Sequence, residues 1–262
     1  DFITHARYPT SLWAFDPSEL SPMSAFNALF TATDFLLIGH RGAAGLESEN
    51  TLPSFQRAID LGCAAIELDV QQGATASAQW IIHDSTVDRT TNGRGRIKDL
   101  TDAELRGLRC TNNAVIPELS EALDLVTQQS QILNKTIGAN VELKGPATAA
   151  AVAETLQRYP HLPILVSSFD HGQLRRFREL DQHTDVAPLF HAWHDNINTI
   201  ASELAACCIN LSSRIVTARR CEHIRKSGLP ILAYTVNSKR AADRLQRMGI
   251  AGVFTDRPDR FI

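Results

Sequence analysis

The sequence predicts an α/β fold, a (β/α)8 TIM barrel in which eight parallel strands alternate with helices. Short apolar runs of strand length recur along the 262 residues, and most are followed by a segment with helical spacing. Charged residues follow several of these runs, and chemistry in such barrels lies at the carboxyl ends of the strands. One domain spanning residues 1–262 is enough to explain the pattern.

Composition limits the possible partners. Hydrophobic residues make up 44% of the chain and charged residues 21%, so we expect a sizeable core and little disorder. The formal net charge of -3 provides no basic surplus for a nucleic acid backbone, and we expect no nucleic-acid partner. No apolar run approaches the roughly 18 residues of a membrane span, so no integral membrane segment is expected. The oligomeric state is not indicated.

Five scattered cysteines indicate the redox environment. Their number is odd and no CxxC spacing occurs, which argues against a disulfide framework and against a zinc site. We expect mostly buried thiols in a reducing compartment, and hence a cytoplasmic location. Because the chain begins at Asp1 and not at methionine, a leader removed earlier stays an open alternative. The cysteines are Cys63, Cys110, Cys207, Cys208 and Cys221.

Residues 1–34 are predicted to be an N-terminal extension. The segment mixes prolines with aromatic residues and has no sustained period before Ser24, so it is expected to wrap over a surface and to end in a short helix. Its aromatic residues leave membrane contact as an alternative, but packing against the barrel is favoured. They are Phe2, Tyr8, Trp13, Phe15, Phe26 and Phe30.

The first barrel strand is predicted over residues 35–38, and His40 and Arg41 follow it. Thr51 can cap the next helix, because its side chain can accept a backbone N–H of the first turn. Pro53 is tolerated in that turn, and Gly62 ends the helix. The chain therefore starts the barrel with a strand and then a helix.

The second strand is predicted over residues 64–70, where Glu67 and Asp69 share a face because side chains alternate along a strand. Another apolar run follows at residues 80–84, too soon for an intervening helix. The two runs therefore predict a β-hairpin that turns near Thr75 and Ala76. Counting outward from that turn brings His83 roughly beside Asp69.

A small insertion is predicted over residues 85–117. It contains a turn-rich loop at residues 90–95 and a helix at 100–108, which opens with the capping-box pattern from Thr101 to Glu104. A helix at 119–128 and a strand at 137–144 follow, and Glu142 and Lys144 share a face of that strand. From there the alternation is regular. The further predicted helices are 147–159, 173–181, 197–206, 218–227 and 239–248, and the further strands are 164–168, 186–190, 208–211, 231–236 and 252–255.

Three carboxylates are expected to converge at the strand ends, those of Glu67, Asp69 and Glu142. Such a cluster is costly unless a cation offsets its mutual repulsion, and oxygen ligands favour Mg²⁺ or Ca²⁺ over zinc. The residues therefore predict one divalent cation, Mg²⁺ or Ca²⁺. The alternative is a rim of salt bridges with Arg41 and Lys144.

Two histidines are candidates for proton transfer, His40 and His83. Imidazole titrates near neutral pH, so one ring can take a proton from a nucleophile while the other donates one to a leaving oxygen. Arg41 and Lys144 supply positive charge for an anion, and arginine suits bidentate contact with phosphate oxygens. Together these groups indicate phosphoryl chemistry.

The ordered motifs resemble the glycerophosphodiester phosphodiesterase family, whose barrels belong to the superfamily of phospholipase-C-like phosphodiesterases. The resemblance covers about residues 36 to 259, and it depends on the order of the motifs and not on any single tripeptide. The motifs are His40-Arg41-Gly42, Glu49-Asn50-Thr51, Glu67-Leu68-Asp69, His83-Asp84, Arg89-Thr90-Thr91-Asn92-Gly93, Glu142-Leu143-Lys144, Tyr234-Thr235-Val236-Asn237 and Thr255-Asp256-Arg257-Pro258-Asp259.

The resemblance implies a (β/α)8 barrel that splits glycerophosphodiesters, small-molecule substrates, into sn-glycerol 3-phosphate and an alcohol such as choline or ethanolamine. It implies that His40 and His83 are acid and base. Arg41 and Lys144 would hold the phosphate, with Glu49 near the glycerol side. It implies that the metal ligands are Glu67, Asp69 and Glu142. Whether water or a neighbouring glycerol hydroxyl attacks first stays open.

Two departures from the family pattern and two alternatives accompany this reading. The segment between Val70 and Trp80 is a residue longer than usual and lacks the aspartate-glycine turn, and the extension before Ala32 is additional to the family core.

A lysophospholipase D or sphingomyelinase D-like activity on acylated diesters is one alternative function. A catalytically silent barrel that serves as a binding module is the other.

Aromatic residues are candidates for the alcohol side of the pocket. Phe169 and Trp193 follow later strands, and a cationic choline head favours an aromatic face. Packing in the core or at the rim is an equally good interpretation of both residues.

Overall fold

The computed structural model describes residues 26–75 and 78–262 and confirms the predicted (β/α)8 barrel. Eight parallel strands close into a barrel, because β1 bonds to β2 on one side and to β9 on the other. The ninth strand, β3, runs antiparallel to β2 outside the barrel. The strands are β1 (Leu36–Gly39), β2 (Ala65–Gln72), β3 (Gln79–Ile81), β4 (Gly138–Leu143), β5 (Ile164–Ser168), β6 (Asp185–Phe190), β7 (Ile209–Ser212), β8 (Ile231–Tyr234) and β9 (Gly252–Thr255).

A helix follows each barrel strand except the last, as predicted, apart from β2, after which the hairpin and insertion come first. Predicted and observed bounds differ by a few residues, because frayed ends and caps depend on local geometry that periodicity does not encode. The helices are α1 (Leu29–Ala32), α2 (Leu52–Asp60), α3 (Asp102–Gly107), α4 (Leu119–Ile132), α5 (Thr148–Leu156), α6 (His171–Leu180), α7 (Ile197–Glu203), α8 (Ala218–Arg225) and α9 (Lys239–Arg247).

The hairpin between β2 and β3 is present, but its register differs by one residue from the prediction. Gln72 pairs with Gln79, so six residues connect the strands, and the predicted turn at Thr75 and Ala76 lies partly outside the described residues. The Ile82 N–H donates to the Asp69 carbonyl at 2.9 Å. Ile82, and not His83, therefore lies beside Asp69. The strand predicted over 80–84 ends at Ile81.

The barrel interior is apolar at the amino-terminal end of the strands, where alternate residues point inward. Phe26 and Leu29 of the extension pack there and are 0% and 3% exposed. A Cβ added to Gly138 would lie 2.7 Å from Leu29 Cδ1, so glycine makes room for this packing. The extension therefore packs against the barrel in its described part, while its predicted course over residues 1–25 lies outside the described residues. The strand residues of this cluster are Leu36, Ile38, Ala65, Leu165, Ala187, Leu232 and Phe254, and Cys208 joins it from just before β7.

The insertion has a small core of its own, which includes Val87, Ile97 and Leu105. Its helix α3 begins with the predicted capping box between Thr101 and Glu104. All five cysteines are free, and four of them are buried. No helix in residues 26–75 and 78–262 is both long and apolar enough to cross a membrane. The cytoplasmic location stays a prediction.

Candidate active site

The carboxyl ends of β2 and β4 bring three carboxylates together. Glu67, Asp69 and Glu142 are 2%, 1% and 7% exposed, and one oxygen from each lies within 4.8 Å of the others. Side-chain alternation on β2 and the pairing of Asp69 with Glu142 direct all three to the same point. Glu67 Oε1 is buried with no hydrogen-bond partner among the described residues. Its vacant acceptor capacity, in a set of hard oxygen donors, fits a divalent cation.

The electrostatics of this cluster also fit a divalent cation. Burial and the charge of Asp69 raise the pKa of Glu67 to about 7. Burial and Asp69 likewise raise the pKa of Glu142 to about 8. Burial raises the pKa of Asp69 too, but Lys144 and Arg41 outweigh it, so the net shift is downward. Burial and mutual repulsion therefore disfavour full ionisation of the three carboxylates, and a bound cation would offset that repulsion.

Arg41 enters the cluster through an unusual backbone conformation. Its φ of 52° lies in the left-handed region, and its backbone N–H donates to Glu67 Oε2 at 2.8 Å. The next residue, Gly42, has φ 80°, and a Cβ there would lie 2.5 Å from Ser54. The tight turn therefore requires this glycine. After this turn the Arg41 guanidinium lies beside the cluster, with its Nε 3.2 Å from Asp69 Oδ2.

Lys144 closes the opposite side of the cluster. Its Nζ lies 2.6 Å from Glu142 Oε1 and 3.3 Å from Asp69 Oδ1. The same ammonium lies 5.6 Å from the ring centroid of Phe169, which is 40% exposed. The salt bridges that the sequence left as an alternative to a metal site are therefore present beside the candidate cation site. Salt bridges and a metal site are compatible here, because Glu67 Oε1 still has no hydrogen-bond partner in the described chain.

His40 lies at the end of β1 and bonds to a carboxylate from the end of β9. Its Nδ1 is 2.6 Å from Asp256 Oδ1, and Asn237 Nδ2 donates to Asp256 Oδ2 at 2.7 Å. Burial lowers the pKa of His40, but the hydrogen bond to Asp256 and the charge of Glu67 outweigh it, so the net shift is upward. With Nδ1 engaged, Nε2 is the nitrogen left for a substrate.

His83 has an equivalent partner in the adjacent residue. Its Nδ1 is 2.7 Å from Asp84 Oδ1. Burial lowers the pKa of His83, and the raising effects of Asp69 and Asp84 do not offset it. The pKa values of His40 and His83 thus move apart. Environments that separate two titratable groups in this way are typical of an acid and base pair.

Residues 40–260 match the model of the glycerophosphoryl diester phosphodiesterase family. The chain belongs to this family. A glycerophosphodiester phosphodiesterase of Caldanaerobacter subterraneus subsp. tengcongensis is 30% identical over 240 residues, 87% of this chain and 96% of that protein. One from Bacillus altitudinis is 33% identical over 243 residues, 86% of this chain and 96% of that protein.

A solved structure supports the same assignment. An Oleispira antarctica phosphodiesterase in complex with the product sn-glycerol-3-phosphate has a TM-score of 0.81 and 28% sequence identity to this chain. The superposed region covers 87% of this chain and 96% of the Oleispira antarctica chain. These findings confirm the resemblance inferred from the motifs and the enzyme class, a phosphoric diester hydrolase. The alternative of a silent binding module is set aside.

The structure connects most of the predicted site residues of this phosphodiesterase, but two of them have unexpected surroundings. Glu49 accepts from Arg41 at 2.8 Å and from both terminal nitrogens of Arg89, so both of its oxygens are engaged. Trp193 packs against α8, with its ring 5.5 Å from that of His223 and its Nε1 donating to Asp195 at 2.9 Å. Phe169 is therefore linked to the carboxylate cluster through Lys144, whereas the contacts of Trp193 are with His223 and Asp195.

Several other residues of the site had no role in the sequence reasoning, although their motifs were noted. Asp256 and Asp84 orient the two histidines, and Asn50 donates to Asp69 Oδ2 at 2.8 Å. Tyr234 Oη is buried without a hydrogen-bond partner in the described chain, and burial and the charge of Glu142 raise the pKa of Tyr234. A carboxylate directly after His83 was the one local signal. Asp256 lies 216 residues from His40, so only folding reveals that pair.

Proposed function

We propose that this family member hydrolyses glycerophosphodiesters to sn-glycerol 3-phosphate and an alcohol in a metal-dependent reaction. The observation that carries the proposal is the joint presence of a buried three-carboxylate cluster and two histidines whose Nδ1 atoms are each held by a carboxylate. The product bound to the Oleispira antarctica phosphodiesterase supports the substrate class.

Glu67, Asp69 and Glu142 would hold one Mg²⁺ or Ca²⁺, which their clustered oxygen donors and mutual repulsion support. When bound, the ion supplies positive charge that polarises the phosphoryl oxygens and stabilises the transition state. The Arg41 guanidinium and the Lys144 ammonium would lie against the phosphate. Both cations already neutralise Asp69, so they balance the charge of the site as well as binding the anion.

The two imidazoles would divide the proton transfers between them. The lowered pKa of His83 favours the neutral ring, which suits a base that accepts a proton from the attacking hydroxyl. The raised pKa of His40 favours the protonated ring, which suits an acid that gives a proton to the leaving oxygen. When water attacks, a new P–O bond forms as the P–O bond to the alcohol breaks, and the proton that His83 takes is matched by the one that His40 gives. When a glycerol hydroxyl attacks first, the product of this step is a cyclic diester, and water then opens it to glycerol 3-phosphate.

The alcohol would leave past Phe169 and Tyr234, the aromatic residues beside the cluster. Phe169 is exposed there and its ring is edge-to-face with that of Tyr234, with the centroids 5.8 Å apart. An aromatic face can hold a choline head by a cation–π contact. Trp193 would contribute only at the outer rim. Glu49 would reach a glycerol hydroxyl only by sharing its oxygens with the two arginines.

The test is the release of glycerol 3-phosphate from glycerophosphocholine, measured after chelation and after addition of Mg²⁺ or Ca²⁺. Turnover is expected only with metal, and His40→Ala, His83→Ala and Glu67→Ala are each expected to lose about 100-fold or more. His161→Ala is the matched control, because His161 is exposed on the loop before β5. Equal turnover in His40→Ala and His161→Ala would overturn the assignment.

Substrate choice is tested in the same assay. Lysophosphatidylcholine replaces glycerophosphocholine. If choline is released only from this acylated diester and not from glycerophosphocholine, the lysophospholipase D-like alternative is favoured. Phe169→Ala and Trp193→Ala are then compared across choline, ethanolamine and inositol diesters. A change in preference is expected for Phe169→Ala and a smaller one for Trp193→Ala.

A further inference from the structure

Arg89, in the insertion, forms hydrogen bonds to two carboxylates that hold site residues, Asp84 beside His83 and Glu49 beside Arg41. We infer that Arg89 is a positioning residue that holds the His83 imidazole and the Arg41 guanidinium in a fixed relation. Its Nε donates to Asp84 Oδ2 at 2.6 Å, and Asp84 in turn holds His83. Its two terminal nitrogens donate to Glu49 at 2.7 and 2.8 Å, and Glu49 holds Arg41.

The chemistry of arginine explains why one residue can do this. The guanidinium is a rigid plane with five N–H donors, so one edge can bind one carboxylate while another edge binds a second. Here a further bond runs from Nη2 to Asp84 Oδ1 at 3.2 Å. The bonding contacts to Glu49 and Asp84 use all three nitrogens of Arg89. A lysine has one ammonium and cannot keep both carboxylates in this plane.

The exposure of Arg89 argues against a role in stability alone. Its side chain is 48% exposed, and ion pairs at such positions are screened by water and contribute little to folding. The carboxylates that it holds are less exposed, at 19% for Glu49 and 29% for Asp84. Asp84 supports the same view, because the hydrogen bond from Arg89 is the largest cause that lowers the pKa of Asp84 to about 2. Asp84 is thereby kept as an acceptor for the His83 Nδ1–H.

The insertion therefore completes the catalytic machinery of the barrel. The hydrogen bonds of the Arg89 side chain in the described chain go to Asp84 and Glu49 and not to the three carboxylates of the cluster, so its effect passes through Asp84 and Glu49. The inference rests on the proposed function, in which His83 takes a proton; because Asp84 holds Nδ1, Nε2 is the nitrogen that would take it. Without Arg89, Asp84 is free to rotate, and His83 then loses the partner that fixes which nitrogen carries its proton.

The experiment compares Arg89→Ala and Arg89→Lys with wild type in the release of glycerol 3-phosphate. Both variants are expected to lose about 10- to 100-fold in kcat/KM, because the orientation of His83 is disturbed. Lysine does not restore the paired N–H donors that bind Asp84 and Glu49. Arg106→Ala is the matched control. Arg106 lies in the same insertion and pairs with Glu118, but touches no residue of the candidate site. It is expected to keep wild-type kcat/KM.

A second measurement is independent of activity. Long-range ¹H–¹⁵N spectra of histidine-labelled protein at pH 8, with the His83 signals assigned through His83→Gln, report which ring nitrogen is protonated. Wild type is expected to carry the His83 proton on Nδ1, and Arg89→Ala is expected to show both tautomers. An unchanged His83 pattern in Arg89→Ala, or full activity in Arg89→Lys, would overturn the inference. If wild type releases no glycerol 3-phosphate, the proposed function fails, and the tautomer measurement still decides the role of Arg89.

Discussion

His40 Nδ1 and Asp256 Oδ1 lie 2.6 Å apart, which joins the end of the first barrel strand to the residue after the last. The Asp256 carboxylate is itself fixed, because Asn237 Nδ2 donates to its other oxygen at 2.7 Å. Barrel closure therefore sets the orientation of the proposed acid. The His40 backbone N–H also donates to the Thr255 carbonyl at 2.9 Å, so the end of β9 holds both the ring and the main chain of His40.

Asp256→Asn is expected to lower kcat by about 100-fold, because the amide keeps the shape of the side chain but removes the charge that favours protonated His40. The measurement is steady-state hydrolysis of glycerophosphocholine with saturating metal. Asp259→Asn is the control, since Asp259 pairs with Arg257 and not with His40. Equal losses in the two variants would mean that the effect is not specific to the His40 pair.

The same pair predicts a pH dependence of stability. The pKa of His40 is raised, so its contribution is present below the unfolded value of about 6.5 and is lost as pH rises through the folded value. Burial raises the pKa of Asp256, but bonds to His40 and Asn237 outweigh it, and the net lowering gives a contribution that is lost in acid. The difference in unfolding free energy between wild type and Asp256→Asn is therefore expected to peak between about pH 4 and 6.5.

Urea unfolding of metal-free protein at pH 5.5 and pH 9 checks this expectation. The difference between wild type and Asp256→Asn should be clearly smaller at pH 9. A constant difference across this range would indicate that the two side chains are not coupled in the folded protein.

Asn50→Gly is expected to weaken binding of Mg²⁺ or Ca²⁺ by about 10- to 100-fold, because Asn50 orients Asp69 from outside the cluster. Its Nδ2 donates to Asp69 Oδ2 at 2.8 Å, and its Oδ1 accepts the Asp69 backbone N–H at 3.3 Å. Glycine keeps the left-handed φ of 58° and removes only the amide.

Isothermal titration of chelated protein measures the affinity. Asn134→Gly is the control, because Asn134 also has a left-handed φ, of 46°, but is exposed and remote from the site. An Asn50→Gly variant that binds metal as tightly as Asn134→Gly would contradict the role of Asn50.

Phe26→Ala is expected to cost about 3 kcal/mol of unfolding free energy and to leave kcat unchanged. Phe26 is 0% exposed in the apolar cluster at the amino-terminal end of the strands, whereas the candidate site lies at the carboxyl ends. Denaturant unfolding and turnover per folded molecule test the two halves of the statement. A loss of kcat in folded Phe26→Ala would show that the two ends of the barrel are coupled.

Much of the fold and part of the site could be predicted from local sequence. Strand and helix periodicity predicted the barrel, and alternation along β2 correctly predicted that Glu67 and Asp69 share a face. The hairpin register was wrong by one residue, because the number of residues in its turn decides which side chains are opposite and apolar patterning does not. The bounds of β3 were also too long, since the run at residues 80–84 leaves the sheet after Ile81.

By itself, the sequence determined the order of elements, the family motifs and the identity of the chemical groups, because these depend on neighbours a few residues apart. Only the tertiary structure decided how those groups are paired. It joined His40 to Asp256, Asp69 to Asn50, and Asp84 and Glu49 to Arg89. Such hydrogen bonds require donor and acceptor to lie within a few tenths of an ångström of the ideal distance, and most of these pairs come from segments that are remote in sequence. Barrel closure and the packing of the insertion on the barrel set those distances, and no local pattern records them.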